Sequence, residues 1–274
     1  MDTLNKIARN KRSDSEARRE KNMQAGEGTA TSNPKAHQSP SQIASLGHLA
    51  GFLAIMAGMV TMGFYAQHSG SGGGDAGAAG QLAGHGNAIK IYLVAAFMDW
   101  ALLYYCWVGV NRQGGTLETL SGGRGTTWKS VAVDVGIALP FWVLWEGAAY
   151  GVHWLLGPSS AKTVDSLLPK SLLEILVWIG VSITAGICEE MAFRGYLQRQ
   201  LHALGGSVVV AVLGQGLVFG LAHAYQGWKN TIVISVLGIL FGALAAWRKN
   251  LRANIVAHAW SDVWGGWLQA VVWR

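Results

Sequence analysis

The chain has 274 residues, 51% of them hydrophobic and only 13% charged, with a mean hydropathy of +0.27, whereas soluble domains carry about 25% charged residues. Thirteen tryptophans and 37 glycines fit a bilayer protein, since Trp gathers at membrane interfaces and Gly is common in spans. A soluble globular domain is excluded, and the net charge of +6 becomes a matter of membrane topology, not of nucleic-acid binding.

Residues 1–40 are polar and rich in Lys, Arg, Ser, Asn and Gln. Such a segment cannot bury enough surface to fold alone, so a disordered basic tail is expected. It lacks the short apolar core and small-residue cleavage site of a signal peptide. Seven apolar segments follow, near Ile43–Ala66, Ile89–Val110, Val131–Leu156, Leu172–Ile187, Ser207–Ala224, Thr231–Trp247 and Ile255–Val272. Each approaches the roughly 20 residues that cross a bilayer. The fold class expected is all-α, a polytopic transmembrane helical bundle of about seven spans. The connection His68–Asn87 is rich in Gly, Ala and Ser and reads as a flexible loop. Cys106 and Cys188 lie in or beside apolar segments. They read as small apolar fillers, not as a disulfide framework.

Positive charge orients the spans. The basic tail should be cytoplasmic, and the first loop, without Lys or Arg, outside. Arg112, Arg124 and Lys129 mark the second loop as inside, as Arg194 and Arg199, then Arg248, Lys249 and Arg252, mark later ones.

The fourth segment runs into Cys188-Glu189-Glu190-Met191-Ala192-Phe193-Arg194. Glu190 and Arg194 are four residues apart, so on a helix they share a face and pair. Glu189 is turned roughly 100° away. A free carboxylate at the edge of an apolar segment is costly, so its default reading is functional. Gly205-Gly206 is the natural turn to the next span. Glu189 lies 17 residues before Gly206 and His223 lies 17 after it. In a helical hairpin both stand about 25 Å from the turn. This requires the helix to continue past Ile187 to Leu204. Asn254, His258 and Asp262 are spaced i, i+4, i+8 and line one face of the last span.

A lone histidine in a span is more often a hydrogen-bonded helix contact than a catalyst. Two His, two Glu, an Arg and an Asp on three neighbouring spans shift that balance. A carboxylate and an imidazole can deprotonate a water, directly or as ligands of a metal that acidifies it. A second imidazole with Asp262 can stabilise an oxyanion. No His-Glu-x-x-His signature, serine-nucleophile motif or phosphate loop is present.

Glu-Glu-x-x-x-Arg at 189–194, Phe-x-x-x-His at 219–223 and His-x-x-x-Asp at 258–262, in that order on successive spans, resemble the CAAX protease and bacteriocin-processing family (CPBP, also called Abi) of intramembrane endopeptidases. The resemblance covers roughly residues 170–274. It divides the chain into a tail (1–40), N-terminal spans (41–170) and a catalytic core (171–274). It implies that Glu189 and His223 activate water, that Glu190 pairs with Arg194 to hold the helix, and that His258 and Asp262 stabilise the oxyanion. Where the eukaryotic prenyl-protein proteases often carry Asn, this chain has Asp262, a poorer donor. Asp262 then orients His258 or binds a metal, and Asn254 is available as an amide donor. No cofactor is certain. A divalent metal such as zinc, if present, would be held by Glu189, His223 and His258. The partners implied are the lipid bilayer and a membrane-associated peptide or protein substrate that need not be prenylated. The place implied is a bacterial inner membrane.

Two other classes compete with the peptidase. One is a non-catalytic membrane protein that binds a peptide or confers bacteriocin self-immunity. The other is a proton or cation carrier using Asp99, Asp134 and Glu146 of the earlier spans together with the Glu and His residues of the later ones.

Overall fold

The computed structural model describes residues 42–68, 88–122, 127–157 and 168–272. The basic tail expected over 1–40 lies outside the described residues, as does the Gly-rich loop from residue 69 to 87. Among the described residues every regular element is helical. They are α1 (Leu46–His68), α2 (Ala88–Asn111), α3 (Leu117–Ser121), α4 (Trp128–Leu156), α5 (Leu172–Glu189), a π-helical segment (Glu190–Leu197), α6 (Gln198–Gly205), α7 (Val208–Ala222), α8 (Trp228–Arg248) and α9 (Arg252–Val272).

Each of the seven expected segments falls on a helix. Five stretches are long and apolar enough to cross a membrane: α1, α2, α4, Leu172–Gly205 and α8. The chain is an integral membrane protein built as a helical bundle. α7 is apolar but only 15 residues long, about 22 Å. α9 has the length but carries the polar face of Asn254, His258 and Asp262.

Local chemistry sets the helix ends. Ser171 accepts from the Glu174 amide at 3.2 Å while Glu174 accepts from the Ser171 amide at 3.1 Å, a reciprocal cap that starts α5. Gly206, at φ 67°, closes α6 by donating to the His202 carbonyl at 2.8 Å. The helix does continue past Ile187, since Leu172–Gly205 is one unbroken 34-residue stretch. Its middle widens into the π segment, a form that is rare and recurs at functional sites.

The outer surface is apolar. Phe97, Trp154 and Leu155 are each about 70% exposed, as residues facing lipid are. The interior is mixed. Arg194, Glu190, Gln200, Gln215 and Asn254 are fully buried beside Phe52, Phe219 and Phe241. In a bilayer, buried polar groups hold helices together only when their hydrogen bonds are met. Here the α8 backbone meets many of them. Gln215 donates to the Gly238 carbonyl at 2.7 Å, Gln198 to Gly242 at 3.0 Å and Asn254 to Phe241 at 2.8 Å. α7 and α8 touch at Gly216 and Gly238, where a Cβ on Gly238 would lie 2.7 Å from the Gly216 Cα. Gln200 ties down the start of α1, accepting from the Ile43 and Ala44 amides and donating to the Ala44 carbonyl at 2.7 Å.

Candidate active site

Glu190 is the centre of the arrangement. It is fully buried, at the first position of the π segment. Its Oε1 accepts from Arg194 Nη1 at 2.8 Å and from His258 Nδ1 at 2.8 Å. Its Oε2 accepts from Asn254 Nδ2 at 3.0 Å. A buried carboxylate is tolerable only when paired and hydrogen-bonded this fully. The expected Glu190–Arg194 pair is therefore present, and Glu190 also grips the last helix at two points. Arg194 is held from its other faces by aromatic rings. Its guanidinium carbon lies 4.4 Å from the Phe219 ring centroid and 5.3 Å from that of Phe241, distances at which ring faces attract a cation.

The α9 face read from the sequence is real. Asn254 and His258 are buried and Asp262 is half-buried. Both protons of the Asn254 amide are committed, to Glu190 and to the Phe241 carbonyl. Asn254 is thus a clamp and has no proton left as an oxyanion donor, because the register of α9 buries it one turn too deep. Backbone contact sets the depth of His258. A Cβ on Gly186 would sit 2.9 Å from the Ala259 amide nitrogen and 3.0 Å from the Ile255 carbonyl oxygen, so α5 and α9 meet closely at a position where α5 has no side chain. Trp178 adds a second tie, its Nε1 donating to the Asp262 carbonyl at 2.8 Å.

Glu189 stands apart from this clamp. Its Oε2 is buried and has no hydrogen-bond partner. That oxygen lies 3.8 Å from His258 Nε2, which is also 3.7 Å from Asp262 Oδ2. Both distances are too long for a direct hydrogen bond and short enough for one water to serve both atoms.

His223 caps the C-terminus of α7, and its Nδ1 donates to the Phe219 carbonyl at 2.8 Å. A carbonyl only accepts, so Nδ1 carries a proton. The same rule applied to His258 puts a proton on its Nδ1, facing the ionised Glu190. The two imidazoles are therefore fixed in orientation by different partners. His223 lies within electrostatic range of Asp262. No hydrogen bond or ion pair joins it to Glu189 among the described residues, so the direct meeting expected from their equal spacing about Gly206 is not made. No three His, Cys, Asp or Glu side chains among the described residues are arranged to hold a metal ion.

Two residues that the motifs did not mark stand near the same charges. Asp99 of α2 is within electrostatic reach of Glu189, His258 and Asp262. Its signal was available, because Tyr92, Leu103, Cys106 and Val110 are the buried face of α2, and position 99 falls on that stripe at helical spacing. Tyr225, just outside α7, stacks obliquely on His223 with ring centroids 6.1 Å apart. Burial is the main cause that pushes its phenol up, so it stays a neutral O–H, with Glu189, Asp262 and Asp99 adding to the effect. Asp134, by contrast, is far from free. Arg248 donates to its Oδ1 at 2.7 Å and Arg252 to its Oδ2 at 2.6 Å. That locks one of the acids a carrier would need.

Residues 171–264, about a third of the chain, match the family model described as type II CAAX prenyl endopeptidase Rce1-like. Over this segment the chain is similar to the Rce1-like family. The Rce1-like segment contains Glu189, Glu190, Arg194, His223, Asn254, His258 and Asp262, whereas Asp99 and Asp134 precede it. No curated protein and no solved structure matches the chain.

Proposed function

We propose that the protein is an intramembrane endopeptidase that hydrolyses a peptide bond of a membrane-associated protein or peptide, with Glu189 as the general base. The observation that carries this reading is the unpartnered Glu189 Oε2 facing His258 Nε2 at 3.8 Å. It is a free base beside a ring whose other nitrogen is anchored.

In this reading Glu189 takes a proton from water as the water oxygen attacks the carbonyl carbon. With His223 neutral, its Nε2 accepts the water's other hydrogen and aims it. The tetrahedral oxyanion receives a hydrogen bond from His258 Nε2–H. With Nδ1 committed to Glu190, a donor at Nε2 is an imidazolium, faced by Glu190, which it shares with Arg194, and by Asp262 at 3.7 Å. The proton on Glu189 then passes to the leaving nitrogen as the C–N bond breaks, and the carboxylate is restored. Asp262 accepts only, so its part is to hold the His258 ring. General-base and oxyanion groups of this kind each contribute about 10²–10³ in rate.

The test is N-terminal labelling of the membrane proteome in cells carrying wild type or Glu189→Gln. A new N-terminus seen with wild type and lost in the variant identifies the substrate. Glu189→Gln and His223→Ala should abolish cleavage while the protein still inserts, and full cleavage by either would overturn the assignment. The chain's own groups suffice for the steps above, so cleavage should survive dialysis against a chelator. Loss that zinc restores would assign water activation to an ion instead. The bacterial inner membrane is the setting proposed.

A further inference from the structure

Below the catalytic centre, where α6, the start of α7 and the end of α8 converge, is a partly enclosed cavity of about 320 Å³. Its basic side chains are Arg199, His202 and Lys249, together with Arg194, which pairs with Glu190. No acidic side chain among the described residues lines it. Among the described residues, no carboxylate pairs with Arg199, His202 or Lys249. The bases just beyond them, Arg248 and Arg252, are both bound to Asp134, so the chain does supply counter-charge nearby and withholds it here.

Three further features add to this excess. Arg199 is half-buried and fixed, with Nη1 donating to the Thr119 carbonyl. Lys249 is the one non-glycine residue among those described with a positive φ, 57°. That left-handed position ends α8 and is normally given to Gly or Asn, because a Cβ there is strained. Val208 and Ala211, from the first turn of α7, form another wall, so the positive end of a 15-residue helix opens on the cavity. Leu204, Val208 and Val209 are exposed beside it, at 42%, 42% and 66%. A cationic hollow rimmed by exposed aliphatic groups has the form of a site for an amphiphile with an anionic head.

We propose that this cavity binds a phosphate group, that of an anionic phospholipid whose acyl chains lie along Leu204 and Val209. Arg199 is ten residues after Glu189, about 10–15 Å along the same rod. The ligand therefore does not occupy the peptidase site, and the inference does not depend on hydrolysis.

The experiment uses full-length protein in phosphatidylcholine nanodiscs with and without phosphatidylglycerol, and separately with inorganic phosphate, reading Tm. Wild type should gain about 2–4 °C with phosphatidylglycerol. The His202→Gln/Lys249→Gln pair should lose that gain, and Ala246→Glu, which puts an acid into the lining, should lose it too. Removing the Lys249 charge alone weakens binding about fivefold. Lys90→Gln, which removes an exposed charge at the start of α2, should keep the gain. The three variants leave the Arg199–Thr119 contact intact, so a fold defect does not imitate the result. A gain in wild type from inorganic phosphate without the lipid, lost in the same variants, supports the cavity with the free anion as its ligand. No gain from either source, or a gain that survives in both cavity variants, overturns the proposal.

Discussion

Adjacent carboxylates at 189 and 190 are chemically identical and differ wholly in surroundings. Glu190 receives three hydrogen bonds, from Arg194, Asn254 and His258. Glu189 Oε2 receives none. Substituting each should therefore separate stability from activity. Glu190→Gln leaves Arg194 buried and unpaired, which costs about 3–5 kcal/mol. It also releases the His258 ring. Both Tm and cleavage should fall. Glu189→Gln removes no hydrogen bond, so its stability should stay within about 1 kcal/mol of wild type while cleavage is lost. Equal thermal losses in the two variants would contradict the division of roles. Phe219 is a third case at this scale. Its ring covers Arg194 at 4.4 Å and packs T-shaped on Phe193 at 4.9 Å. Phe219→Leu should lower stability by about 1–2 kcal/mol, measurable by thermal unfolding in detergent.

Helices bring these residues together through a few backbone approaches and one ionic clamp. Gly186 lets α9 lie directly on α5. Gly186→Ala must push Ala259 and Ile255 away, at about 1–3 kcal/mol, and must carry His258 away from both glutamates. Activity should drop further than the loss of folded protein explains, which a comparison of kcat with the active fraction would show. Asp134 joins α4 to the end of α8 and the start of α9 through Arg248 and Arg252, whose side chains are 23% and 27% exposed. Partial exposure screens these pairs, so Asp134→Asn should cost about 2 kcal/mol, below the figure for a fully buried pair. Specific activity per folded molecule should stay near wild type, because the clamp lies outside the catalytic cluster.

At the scale of the whole molecule, tryptophan marks the bilayer. α8 begins at Trp228 and ends beside Trp247, exposed by 63% and 66%. They stand about 28 Å apart along the helix, close to the roughly 30 Å of a hydrocarbon core. Trp128 and Trp154, also exposed, stand near the two ends of the longer α4, about 39 Å apart along the helix. α7, at 15 residues about 22 Å long, is shorter than that core, and the turn Ala224–Gln226 joins its C-terminal end, with His223, to Trp228. Topology is tested in protein lacking Cys106 and Cys188. An impermeant thiol reagent applied from outside should label Trp228→Cys and leave Gln113→Cys untouched. The reverse pattern would invert the orientation read from the basic loops.

The sequence by itself determined the class and much of the cast. Hydropathy located seven helices because burial in lipid demands long apolar runs. Helical spacing paired Glu190 with Arg194 and aligned Asn254, His258 and Asp262, because i, i+4 neighbours share a face whatever surrounds them. Gly205-Gly206 announced the turn because Gly206 takes a left-handed φ that only glycine adopts without strain. Tertiary structure alone decided what no single helix encodes. It chose Glu190 over Glu189 as the anchor of His258, committed both Asn254 protons to the clamp, and turned Asp99 and Tyr225 towards the site. Those outcomes depend on which face of one helix meets which face of another. Close glycine contacts and the widened π turn set that registry, and the one-dimensional pattern carries it only weakly.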